Sequence, residues 1–443
     1  MRVACENAIN TEKRCPSGRW ASAAVKLARW CILAIMLLTL FGGLLQDLGV
    51  PRSVVYIADL FDVALLVCIV LSGRMNRLQE AVPAVAAMGL WLVYSIVNGL
   101  LKGQPLLPML WAIRNWGRGF VFFCGCVMFL QKSDFPGVFR WLTGIYWVNF
   151  LLICGEYLIL DKSGDELGGI FGSEIGCNGA NNILFSAILV AALCLDLHQD
   201  RLSLHTVLLL FSVMVIAALS ELKITYYFFI IAVLLLVILY AVWGNIRRKT
   251  VVLTLLSAAA ALALGLWLLS RLFPYAFSVI IGRKSYFFYE EASRIAYKIS
   301  RVRFISETNE QVFHGSPLLN LTGFGFGSYE YSRYSQLIGP LYRQYGELNC
   351  LYFSHQSLFL EGGFIGLVLF AGIPAAFGTE HGLKLLRHGK MDAWHTYSVV
   401  LSLFLLVSLV YNNAYRTELS FLMYFAMAAG YMLAGQETSN QAV

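Results

Sequence analysis

The chain has 443 residues, 58% of them hydrophobic and only 13% charged, with a mean hydropathy of +0.68. That is far more apolar than a water-soluble domain of ordinary composition, so a soluble enzyme is excluded and an integral membrane protein is expected. The net charge of +7 reads as loop topology rather than nucleic-acid binding, because the basic residues gather in short connections.

Residues 1–26 form a polar tail with Lys13, Arg14 and Arg19, and no small-residue cleavage site follows, so the first apolar run is expected to be a retained helix. Runs of ~20 apolar residues, enough to cross the hydrocarbon core, follow near 27–46, 54–72, 82–101, 110–130, 138–160, 178–195, 203–220, 225–244, 250–270, 357–378, 396–412 and 418–435. They predict an all-α membrane protein of about twelve transmembrane helices: nine within 27–270, three within 356–435, and a short tail at 436–443. With the first tail inside, the inner short connections carry seventeen Lys and Arg, and the outer ones carry Arg52, Lys102, Lys162, Lys223 and Arg416. This asymmetry predicts both termini in the cytoplasm.

The fourth run, "WAIRNWGRGFVFF", places Arg114 and Arg118 one turn apart on one helix face. A guanidinium facing lipid costs several kcal/mol, so the two are expected to face a polar cavity or an anionic partner. Paired arginines suit the oxygens of a diphosphate. Snorkelling to the outer interface, with pairing to Asp59 or Asp62, is the other reading. The outer turns "SELKITYYFF" and "YNNAYRTELS" add Lys223 and Arg416, either as helix-end charges or as further walls of one cavity. Asn178, Asn181 and Asn182 open the sixth run as caps or as ligands for a substrate.

The one large hydrophilic segment, 271–355, lies outside in this topology. Its first half, with Arg294, Lys298 and Arg301 between apolar residues, predicts an amphipathic surface helix. Its second half, with Pro317 and Gly323, Gly325 and Gly327, predicts a loop of little regular structure. Ten of the 22 tyrosines fall in this segment, as an interfacial belt or as rings that stack on sugars. Of the ten cysteines only Cys177 and Cys350 fall near the outer surface, where a disulfide is one option, and no cysteine spacing suggests a metal site.

At the mouth of the tenth run, "SHQSLFLEGGFIG" holds His355 and, six residues on, Glu361. Imidazole is well matched to moving a proton near neutral pH, and a loop position would let His355 reach a cleft; an interfacial histidine beside a solvated glutamate is the bland alternative. The chain has no phosphate-binding glycine loop before Lys, no dinucleotide fingerprint and no HExxH, and no cytoplasmic domain large enough for a nucleotide sugar. Energy for any bond it makes must come from its donor or from a gradient.

The stretch "SPLLNLTGFGFGSY" at 316–329, followed by "SHQSLFLEGGFIG" at 354–366, resembles the O-antigen polymerase and ligase superfamily of bacterial envelope glycosyltransferases. "GGIFGSEIGCNGANN" and "ASRIAYKIS" resemble two further stretches of that family, whereas Gln356 stands where Asn is commoner and the gap from His355 to Glu361 is shorter than in its ligases. The resemblance implies a glycosyltransferase C-like fold with one large periplasmic loop between the ninth and tenth helices, in the bacterial inner membrane. It implies a metal- and nucleotide-independent transfer of glycan from undecaprenyl diphosphate onto a sugar hydroxyl, with no cofactor. A chain-length regulator and a flippase of the same pathway are the implied partners. On that reading Arg114, Arg118, Lys223, Arg294 and Arg416 hold the diphosphate or glycan, and His355, with Glu361, is catalytic. Polymerisation of repeat units is the leading expectation and ligation to lipid A core the second. A transporter stays open, because twelve helices with intramembrane charges also describe carriers.

Overall fold

The computed structural model describes residues 19–434 apart from 175, 245, 282–298, 302 and 390. The expected amphipathic helix, with Arg294, lies outside the described residues. Among the described residues all regular structure is helical and there is no strand. The principal helices are α1 (Arg19–Asp47), α2 (Ile57–Ser72), α3 (Val82–Leu101), α4 (Leu106–Phe129), α5 (Asp134–Ile159), α6 (Gly179–His198), α7 (Leu204–Leu219), α8 (Lys223–Trp243) and α9 (Arg248–Leu272). After the short α10 (Pro274–Ile281), α11 (Phe304–Gln311), α12 (Pro317–Thr322) and α13 (Pro340–Tyr345) come α14 (Ser354–His388), α15 (Ala393–Tyr411) and α16 (Ser420–Leu433).

This is a multi-pass, all-α membrane protein. Nine helices of the described residues are long and apolar enough to cross a bilayer. The other three expected crossings also fall on helices: α7 and α16 have only 16 and 14 residues, and α4 is a continuous helix whose apolar run is interrupted by its two arginines. Burial follows from pattern. α6 is apolar on every side and buried on every side, so it runs through the centre of the bundle against α5, α7, α8, α15 and α16. α2 and α9 leave apolar stripes bare, as lipid-facing helices do.

One helix is broken inside its span. α14 leaves helical geometry at Gly363 (φ 61°, ψ −158°), and the loop carrying the glycine-rich motif fills the break. The backbone N–H groups of Phe324 and Gly325 donate to the carbonyls of Leu360 and Glu361 at 2.9 and 2.8 Å. From α3, Tyr94 donates to the Gly362 carbonyl at 2.8 Å, and Asn98 to the carbonyls of Thr322 and Glu361 at 2.7 and 3.2 Å. The carbonyls of Leu360, Glu361 and Gly362 at the break thereby each find a donor, as broken helix at membrane depth requires. The glycines are required by contact: a Cβ on Gly363 would lie 2.4 Å from the backbone of Leu321, and one on Gly323 (φ 66°) 2.5 Å from that of Glu361. The two glycine motifs quoted above are the two sides of one backbone junction.

Candidate anion-binding cavity

The connections 47–56, 160–178 and 412–419 and the segment 299–353 meet at one end of the bundle. Ser173 donates to Asp47 at 2.6 Å, Trp111 of α4 to the Tyr331 carbonyl at 3.1 Å, and Asn413 to the Leu351 carbonyl at 3.2 Å. Between them lies a cavity of about 510 Å³, within the usual range for small-molecule sites. Its wall carries five arginines (Arg52, Arg114, Arg118, Arg333 and Arg416) against three carboxylates (Asp47, Glu174 and Glu418). Guanidiniums that can exchange a carboxylate for another anion and the aromatic rings of Tyr56, Trp111 and Tyr331 suit an anionic ligand that carries a ring or chain with apolar faces.

Three sequence-predicted arginines, Arg114, Arg118 and Arg416, meet here. α4 presents Arg114 and Arg118 on one face, and an Nη of Arg118 donates to the Arg416 carbonyl at 2.6 Å. The connection holding Arg416 is pinned to the start of α14, where Ser354 N donates to the Asn412 carbonyl at 2.9 Å. Each guanidinium has an acidic partner, as burial beside lipid demands. Arg114 pairs with Asp59 and lies 4.6 Å over the Trp111 ring. Arg118, nearly fully buried, pairs with Glu418 at 2.8 Å and reaches Asp59 at 3.7 Å. Arg416 pairs with Glu330 at 2.6 Å and donates to Ser357 Oγ at 3.3 Å. Arg118 and Arg416 each keep a buried Nε that bonds to nothing in the protein. The sequence reading of Arg114 and Arg118 as facing either a cavity or an aspartate of α2 resolves as both.

Burial by itself would raise the Glu418 carboxyl, but the charge and hydrogen bond of Arg118, a backbone N–H and the more distant Arg114 together more than offset this and hold it below the usual carboxylate range. Cys177, at the cavity edge, and Cys350 are separate free thiols. Burial pushes both up to about 12, so neither is a ready nucleophile.

The remaining predicted residues lie elsewhere. Glu361 sits behind the wall, at the break in α14; its Oε1 accepts from Tyr329 N at 2.9 Å. It thus fixes the residue next to Glu330, the carboxylate that holds Arg416. His355 is not on a free loop but in the first turn of α14, buried edge-on to Phe304 with ring centroids 4.4 Å apart. Its Nε2 lies 3.0 Å from the Arg301 carbonyl, and it is absent from the cavity wall. Lys223 lies at the α7–α8 connection beside Glu221, at 2.9 Å. Asn178 and Asn181 tie loop backbone and side chains, and Asn182 accepts from Thr225. Among the described residues no group of three or more His, Cys, Asp or Glu side chains has the geometry to hold a metal ion.

Sequence reasoning missed Asn115, Glu330 and Glu418. Asn115 donates to Glu330 at 2.8 Å. Glu418 had a visible signal, lying two residues after Arg416 in a polar turn between apolar runs; Glu330, in a tyrosine-rich loop, had none. No family model matches the chain, and no curated protein does either.

Proposed function

We propose that the protein is a membrane glycosyltransferase that takes glycan from an isoprenoid diphosphate donor and joins repeat units, in the manner of the O-antigen polymerases. The observation that carries this reading is the convergence of Arg114, Arg118 and Arg416, from distant parts of the chain, on one cavity rimmed by aromatic rings. In this reading twelve helices cross the bacterial inner membrane and the cavity opens on the periplasmic side. The guanidiniums bind the diphosphate and stabilise the charge it gains as the bond from the anomeric carbon to the phosphate oxygen breaks. The acceptor hydroxyl forms the new bond to that carbon and gives up its proton.

Glu418 is the proposed acceptor of that proton. At rest Arg118 keeps it a weak base; when Arg118 turns to the diphosphate, Glu418 loses its counter-ion and becomes more basic. His355 has a positioning role in this scheme, holding the start of α14, from which Ser357 reaches Arg416.

Deletion of the gene tests the proposal. Surface lipid carrying a single repeat unit supports polymerase loss, whereas long polymer retained on the carrier lipid means a ligase. Repeat units trapped in the cytoplasm overturn both in favour of a carrier. A carrier is the second reading, favoured by the break in α14 beside the buried Glu361, since transporters bind their substrates at discontinuous helices.

A further inference from the structure

We propose that residues 316–327, sequence-wise part of the large polar loop, are a wedge inserted into the bilayer, with Leu318 and Leu321 of α12 seated among lipid acyl chains. Three observations converge on it. The first is depth. The wedge meets α14 at Leu360–Gly363, six to nine residues past its first residue, which is about 9–14 Å along the helix. On α3 it meets Asn98, within the last turn of a helix long and apolar enough to span.

The second is a bare apolar face. Leu318 and Leu321 are 62% and 49% exposed. They are continuous with a surface that already faces lipid, because the helices holding the wedge leave Val97 and Leu101 of α3 and Phe364 and Val368 of α14 exposed as well. The occupant is therefore acyl chain rather than a soluble partner, which would have to bind beneath the headgroups.

The third is polar satisfaction, the requirement lipid imposes and water does not. Ser316 Oγ caps Leu319 N at 3.4 Å, and Gly323 N closes the helix on the Leu319 carbonyl at 2.7 Å. Thr322 turns its hydroxyl back onto the Leu318 carbonyl at 2.9 Å, while its own carbonyl accepts from Asn98. Gln104 takes the Phe324 carbonyl at 2.7 Å. A six-residue helix whose ends no water can reach requires such closure.

The test does not depend on what the cavity binds. Hydroxyl-radical footprinting of the unmodified protein in lipid nanodiscs is expected to leave Leu318 and Leu321 unoxidised while Tyr334, exposed in the same loop, is oxidised. In parallel, Leu318→Cys and Tyr334→Cys, each in a chain with its native cysteines replaced, carry a bimane label in liposomes. The label at 318 is expected to be quenched by acyl-brominated phosphatidylcholine and not by iodide, with the reverse at 334. Oxidation of Leu318 and Leu321 to the level of Tyr334 overturns the wedge. So does protection from water without quenching by brominated lipid, which would mean that protein covers the face.

Discussion

Glu330 and Arg416 form a 2.6 Å ion pair in which the carboxylate is wholly buried and the guanidinium forms part of the cavity wall. Removing one partner strands the other. Arg416→Met is expected to destabilise the protein by about 3–5 kcal/mol, and Arg416→Met with Glu330→Leu to recover most of that. Thermal unfolding in detergent measures the cycle; additive single losses would show that the pair is not coupled.

Arg118 and Arg114 differ in burial, and so should their variants. Losing a charge-assisted contact to phosphate costs about 1.5–3 kcal/mol, so Arg118→Gln is expected to weaken pyrophosphate binding by one to two orders of magnitude. The more exposed Arg114→Gln should lose less. Calorimetry on purified protein reads both, and equal unimpaired binding would remove the anion site.

Glu418 gives a pH signature. Its folded carboxyl is held below its ordinary value, so its contribution to stability is present above that value and is lost as pH falls through the lower, folded one. Unfolding temperature should be insensitive to this group near neutrality and fall on acidification below the usual carboxylate range. Glu418→Gln should be less acid-sensitive; parallel acid limbs for the two proteins would contradict the assignment. The same variant is expected to bind pyrophosphate yet transfer no glycan.

His355 separates positioning from base chemistry. His355→Gln keeps an amide that can bond the Arg301 carbonyl, and it is expected to retain most of the glycan transfer, whereas His355→Ala, which also empties a site packed against Phe304, loses folded protein. A well-folded His355→Gln without transfer activity would restore the imidazole as the base.

The junction in α14 predicts a graded glycine series. Gly363→Ala and Gly323→Ala place a methyl into backbone at a positive φ and should each cost at least about 1–3 kcal/mol. Gly366→Ala, whose nearest neighbour is 3.4 Å away, and Gly372→Ala, with nothing within 4 Å, should fold normally.

What could be read from the sequence was set by local chemistry. Apolar runs of bilayer length are local, and all twelve fall on helices, though α7 and α16 have only 16 and 14 residues. Arg114 and Arg118 were legible because lipid makes a charge conspicuous. Glu330 was not, because a glutamate in a polar loop looks solvated until the fold carries it beneath Arg416. The glycines of 323–327 predict only a loop of little regular structure, since nothing in that stretch reveals that Leu360 and Glu361, more than thirty residues on, offer carbonyls to Phe324 and Gly325. The burial of His355 is not legible for the converse reason: a titratable side chain at a helix mouth looks available until the rings of Phe304 and Phe353 beside it are seen.

Under the proposed function, the carboxylates opposite Arg114, Arg118 and Arg416 would give the cavity the behaviour of an ion exchanger. An incoming anion does not fill a vacant positive hole; it displaces a resident carboxylate, and its affinity is the difference between two similar attractions. The displaced Asp59 or Glu330 would stay tethered and compete for its arginine throughout, and Glu418 would do so again once it gives up its proton. In the proposed transfer, a spent diphosphate would be pushed out by the same side chains that moved aside to admit it, which would favour repeated turnover over retention of a tightly held product.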